Sequence, residues 1–188
     1  SLNNIGSLLL ASKDFEGACA CYERSLAIKE KVLGPMHQEV ATTLNNLGCL
    51  LFEMGDHQNA QAALERALAI DERVFGPEHP QVGMSLSNYG VFLQRCGSHE
   101  DACAALERTL TIFKKTLDAK HPLVAKALYR LGISYRELGF WEKSEDYMLQ
   151  ALQMREQKLG IDHPDTADIL NILQQWGVPN SGRCCGSA

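Results

Sequence analysis

The sequence predicts an all-α protein, an α-solenoid of antiparallel helix pairs, and three observations carry that prediction. First, one 42-residue interval separates His37, His79, His121 and His163, and the same interval separates Gly6, Gly48, Gly90 and Gly132. Second, each copy has two apolar runs of helical spacing, as at Val40, Leu44, Leu47 and Leu51 and again at Ala60, Ala63, Leu64, Ala67 and Leu68. Third, Gly55-Asp56 punctuates the two runs and Gly76-Pro77 closes the second. One pair cannot bury its apolar stripe alone, so successive pairs must stack.

The repeat region is assigned to residues 1–176 as a truncated first copy (1–36), three full copies (37–78, 79–120 and 121–162) and a final helix (163–176), with a tail at 177–188. In copy one, Ser1 and Leu2 align with Thr43 and Leu44 in the middle of a helix, and no methionine opens the chain. The expectation is a fragment whose first pair exposes apolar surface that a preceding repeat would cover, with self-association through that end as a consequence. Asp14 then opens a second helix, Ala18 to Val32, which Gly34-Pro35 stops.

Copy two shows the unit in full. Gly55 closes the first helix in a left-handed conformation and Asp56 caps the second, which runs from Ala60 to Val74. A mid-helix glycine such as Gly48 costs about 1 kcal/mol relative to alanine, so its return in every copy requires close packing of the two helices, with small Ala60 opposite. In copy three the exit reads Asp118-Ala119 and departs from Gly-Pro, while copy four returns to Gly160. The last helix, Asp165 to Trp176, has no following partner and reads as a cap with a wetter face at Asp168, Gln174 and Gln175. The polar, glycine-rich tail is expected to be disordered, and its Cys185-Gly-Ser-Ala end lacks the aliphatic middle of a prenylation box.

Leu44, Leu47, Gly48 and Leu51, followed by Ala60, Leu64 and Ala67, form a pattern that resembles the tetratricopeptide repeat. More narrowly, LNNL, ALAI and the GP-x-HP exit resemble the 42-residue version found in kinesin light chains. The resemblance covers residues 1–176 and implies a protein-binding scaffold or adaptor without catalytic activity. The family's aromatic position at the start of the second helix holds Phe15, His57, His99 and Trp141 here, so weaker packing is expected at the two histidines.

Composition excludes several other classes. The chain of 188 residues is 45% hydrophobic, enough for a continuous core, yet no apolar run approaches the ~18 residues of a membrane span. A net charge of −5 argues against general nucleic-acid binding, which needs a basic surface. No signal peptide opens the chain, and the seven cysteines, Cys19, Cys21, Cys49, Cys96, Cys103, Cys184 and Cys185, lack zinc spacing; most lie inside helical stretches and read there as free thiols filling small apolar positions. A cytoplasmic protein is expected. The His-Pro pairs mark helix starts rather than metal ligands, because proline suits a first helical position and pushes the preceding residue out of helical geometry. The group Asp162, His163, Asp165 and Asp168 complements a helix dipole in the same way. No metal, cofactor or catalytic constellation is assigned.

One column is not accounted for by packing. Asn4, Asn46 and Asn88 occupy one position in three successive copies and Arg130 takes it in the fourth, about 100° off the buried line. An amide can bond the backbone of an extended peptide, and helices ~10 Å apart would present one asparagine about every third peptide residue. The competing reading is that the asparagines bridge neighbouring helices. Lys126 and Arg130, spaced i, i+4, with Arg136 on the same helix and Arg95 on the preceding first helix, make a basic pocket that favours carboxylates, unless they are simply solvated. Asn88, Lys126 and Arg130 are also similar to part of the clamp by which cochaperone tetratricopeptide domains hold a terminal carboxylate. Asn45 stands where that clamp has lysine and Cys49 where it has asparagine, so an acidic internal peptide fits better.

The candidate peptide-binding set is Asn4, Asn45, Asn46, Asn88, Arg95, Lys126, Arg130 and Arg136. The expected partner is a protein or peptide, with neither nucleic acid nor membrane. An alternative is an intramolecular sensor or autoinhibitory module within a larger signalling NTPase or kinase, and a hydrolase without a sequence signature forms a third class.

Overall fold

Helix starts follow one device repeated along the chain. His37, His79, His121 and His163 each adopt extended backbone, and each Nδ1 accepts the N–H two residues on, at 3.2, 3.1, 3.2 and 3.2 Å. The imidazole therefore satisfies one of the free amides that open a helix, a side-chain role beyond the proline geometry expected from sequence. In copies one and two the second helix opens on aspartate: Asp14 Oδ1 accepts from Gly17 N at 2.9 Å and Asp56 Oδ1 from Asn59 N at 3.2 Å. In copy four Phe140 stands in that place and supplies no side-chain cap.

A computed structural model of the chain describes residues 1–118 and 120–178. Among these residues there are nine α-helices and no strands: α1 (Leu2–Ala11), α2 (Phe15–Leu33), α3 (Gln38–Glu53), α4 (His57–Phe75), α5 (Pro80–Arg95), α6 (His99–Thr116), α7 (Pro122–Glu137), α8 (Trp141–Leu159) and α9 (Pro164–Gln175). The chain is an all-α helical-repeat solenoid, and no described helix is long and apolar enough to cross a membrane. It divides into two compact units, Ser1–Thr116 and Leu117–Ala188. The division falls at the copy-three exit, where the Gly-Pro device is missing. The expected tail disorder and the Cys184 and Cys185 thiols lie outside the described residues, apart from Gly177 and Val178.

In the first unit each helix packs on its neighbours in order, from α1 through α6. The glycine column lets each pair close. A Cβ on Gly48 would lie 2.7 Å from Leu64 Cγ and 3.2 Å from the Ala60 carbonyl oxygen, so the first helix rests directly on the second. Tyr22, Leu64, Leu106 and Met148, one per copy, fill the equivalent space. The turn between the helices needs a left-handed residue, which Gly55 supplies with φ 86°, whereas copy one places Lys13 there at φ 62°.

Stacking buries the other face. Leu47 and Leu50 pack on Ala18 and Tyr22 of the preceding copy, and Phe92 packs with Ala60 and Leu64. In the same columns of α1, Ile5 is 48% and Leu8 71% exposed, while Leu50 is fully buried. In the second unit α7 packs on α8 and α8 on α9, around buried Leu128, Leu131, Met148, Ala151 and Ile169. Among the described residues the cysteines form no disulfide, and their settings differ: Cys103 is buried, Cys19 and Cys21 are half-buried, and Cys49 and Cys96 are exposed. Burial and the nearby Glu23 push the Cys19 thiol up from its ordinary value.

Candidate functional site

The candidate residues separate into groups with different surroundings. In the first unit, Asn4 is exposed and Asn46 and Asn88 are half-buried, on the flank of the packed face. Asn45 is one residue, about 100°, further round, and that rotation puts it inside. Its Nδ2 donates to Ser85 Oγ at 2.8 Å, and its Oδ1 faces Asn88 Nδ2 at 3.5 Å. Its amide thereby joins α3 to α5, which is the helix-bridging role.

The same column in copy one behaves alike, since Asn3 Nδ2 donates to Thr43 Oγ1 at 3.0 Å while Lys29 Nζ also reaches Thr43 Oγ1 at 3.1 Å. In copy two Asp71 replaces that lysine. Ser85 Oγ donates to its Oδ2 at 2.5 Å, its Oδ1 has no hydrogen-bond partner, and the residue is fully buried. Burial raises the Asp71 carboxyl above its ordinary value, against the opposing bonds from Ser85 and Gln81 and the nearby His79.

Arg95 is engaged within the first unit. Its guanidinium pairs with Glu53 and lies 4.2 Å over the Phe52 ring, so it staples α5 to α3. Hydrogen bonding from Arg95 pulls the Glu53 carboxyl below its ordinary value. Other ion pairs repeat the device: Arg66–Glu30 at 2.6 Å and Arg108–Glu72 at 2.6 Å join successive second helices at the same 42-residue interval, and Lys115 reaches Glu78 at 2.7 Å.

The second unit holds a cleft that gathers two of the candidate cations. Lys126 and Arg130 from α7 line it, together with Lys120 from the turn before α7 and Arg155 and Lys158 from the end of α8. It measures about 480 Å³ and has apolar walls at Leu123, Met154 and Leu159, with Asp165 and Asp168 contributed by α9. The two guanidiniums flank one ring, Arg130 Cζ at 5.7 Å and Arg155 Cζ at 5.0 Å from the centre of Tyr129. Arg155 Nη1 is held by the Asp165 carbonyl at 2.6 Å, and the Tyr129 hydroxyl donates to Asp168 Oδ2 at 3.0 Å. Burial, then the bond to Asp168, push the Tyr129 phenol up from its ordinary value. The ammonium groups of Lys120, Lys126 and Lys158 have no hydrogen-bond or ion-pair partner among the described residues.

Arg136 does not join this cleft. Six residues beyond Arg130 it is about 9 Å further along α7, where Trp141 and Trp176 sandwich its guanidinium at 4.2 and 4.7 Å. Sequence reasoning missed Lys120, Arg155 and Lys158, which lie on a turn and on a second helix. Their signal was available in the 42-residue columns: Lys120 stands where Glu78 stands in copy two, and Lys158 where Val74 does. The described residues contain no group of three His, Cys, Asp or Glu side chains arranged to hold a metal ion.

Against known proteins, the family profile described as tetratricopeptide repeat matches residues 1–73, 50–91, 81–139 and 123–173. No curated protein matches the sequence. Among solved structures, the chain superposes on BtubC (BKLC) from P. vanneervenii with a TM-score of 0.78 at 22% identity, over 87% of this chain and 65% of that one. A putative kinesin light chain with nearly identical TPR-like repeats from Podosopora anserina gives a TM-score of 0.79 at 22% identity, covering 94% of this chain and 85% of the other. The apo form of RapI gives 0.73 at 18% identity, over 94% of this chain and 48% of that protein. At these identities the likenesses show the fold.

Proposed function

Because the chain belongs to the tetratricopeptide repeat family, whose repeats generally serve as scaffolds for protein–protein contact, we propose that it is a noncovalent adaptor module that holds an extended acidic segment of a partner protein. The observation that carries this reading is the cleft of the second unit, where Lys126 and Arg130 are joined by Lys120, Arg155 and Lys158 in a chain of net charge −5. Cations gathered against that overall charge favour a carboxylate-bearing ligand through charge-assisted bonds, and arginine adds bidentate geometry. Leu123, Met154 and Leu159 offer apolar contact to the residues between the acidic ones.

In the first unit, half-buried Asn46 and Asn88 and exposed Asn4 are proposed to bond peptide backbone, which adds affinity without demanding a particular side chain. Asn45, Arg95 and Arg136 are assigned structural work instead. A peptide-array screen of the full chain, with Lys126→Glu/Arg130→Glu as the matched variant and circular dichroism to confirm its fold, tests the reading. Acidic hits that vanish in the variant support it. Hits that persist unchanged, or no acidic hits at all, overturn it.

A further inference from the structure

The internal repeat acts as a control on the cleft, since each position has counterparts that perform the same packing. Lys120 stands where earlier copies have Met36 and Glu78, and Lys126 where they have Thr42 and Met84. Arg130 replaces Asn46 and Asn88, and Lys158 replaces Val32, Val74 and Thr116. Packing demands none of these cations, because the earlier copies stack without them. They occur together only at the junction of α7, α8 and α9, and Lys120, Lys126 and Lys158 meet no partner there among the described residues.

Resting on the acidic-segment reading above and narrowing it, we propose that the cleft takes the phosphate monoester of a phosphorylated serine or threonine in the bound segment. The lining has five basic and two acidic side chains, an excess of three positive charges. A single carboxylate offsets one of these, and three carboxylates crowded into about 480 Å³ repel one another. A phosphate monoester places a charge of about −1.5 to −2 and three strong acceptor oxygens on one centre. Lysine ammoniums on long stems can converge on such a centre from the turn before α7, from α7 and from α8, while the guanidinium fork of Arg155 is held in place by Asp165 and Tyr129. Asp165 and Asp168 sit on the α9 side and oppose a run of further carboxylates there, which favours one concentrated charge over several spread ones.

The test uses the full chain and three arrayed series of otherwise identical peptides, with phosphoserine, aspartate or serine at the central position, read by fluorescence anisotropy. Lys126→Glu/Lys158→Glu is the variant, because both side chains are exposed and its melting curve is expected to match the parent. The expected result is phosphoserine peptides binding at least about ten-fold more tightly than their aspartate twins, with that preference lost in the variant. Aspartate twins that bind as well as phosphoserine overturn the phosphate assignment and leave the acidic-segment reading standing. Binding by none of the series overturns both, and a preference that survives in the variant removes the phosphate from this cleft.

Discussion

The two units build the same core and spend their surface charge differently. In residues 1–116, four cations are paired between copies: Arg66 with Glu30, Arg108 with Glu72, Arg95 with Glu53 and Lys115 with Glu78. In the second unit, Lys120, Lys126 and Lys158 border a cleft with no such partners among the described residues. Both sets occupy positions that the 42-residue interval leaves free of core packing. The difference teaches that a repeat separates two tasks by column: apolar and glycine columns make the pairs stack, and the remaining columns can either staple copies together or present charge outward.

The largest expected effects test whether the cores are alike. Leu64→Ala in the first unit and Met148→Ala in the second empty the same column beneath Gly48 and Gly132, and each is expected to cost about 2–5 kcal/mol in denaturant unfolding. Methionine adapts more readily than leucine, so the Met148 loss falls toward the lower end. A negligible loss in one unit would break the claim of a common core.

Asp71 provides the next difference, a buried carboxylate in the first unit with one oxygen unpaired. Its folded-state value is raised by burial, so its contribution to stability is fully present below the ordinary carboxyl value and is lost as pH rises through the raised one. Melting temperatures across that range should fall with pH in the parent more than in Asp71→Asn. Parallel profiles would contradict this account of the group.

Smaller effects sharpen the comparison at turns and staples. Lys13→Gly relieves a left-handed side chain at the copy-one turn and is expected to stabilise by about 1 kcal/mol. Arg66→Ala and Arg108→Ala remove exposed ion pairs, and each should cost about 0.2–1 kcal/mol, diminishing with added salt. Lys126→Ala, which breaks no pair, is expected to leave stability unchanged within about 0.5 kcal/mol.

Much of the fold was legible because its rules are local and repeated. Gly48 against Ala60, the Gly55-Asp56 turn and the helix starts after His79, His121 and His163 all follow from backbone conformation and end-capping, which neighbouring residues decide. The site was legible only in part. Lys126 and Arg130 share a helix face by spacing alone, but Arg155 and Lys158 reach the same cleft through the packing of α8, and Lys120 through the turn before α7. Arg136 shares α7 with Lys126 and Arg130 and is withdrawn by two tryptophans, one near it in sequence and one distant but both close to it in space, Trp141 at 4.2 Å and Trp176 at 4.7 Å. Asn45 and Asn46 are adjacent letters, and a single helical step separates a buried bridge from a half-buried amide.

The central claim is that recognition belongs to the basic cleft of the second unit and not to the ion-paired cations of the first. Titrating one acidic peptide from the array into the parent chain, Lys126→Glu/Arg130→Glu and Arg66→Glu/Arg108→Glu tests it most directly. The account predicts that the reversal in the second unit weakens binding by about ten-fold or more, while the reversal in the first unit leaves affinity within about two-fold. Equal losses in both variants, or a loss confined to the first-unit variant, would contradict it.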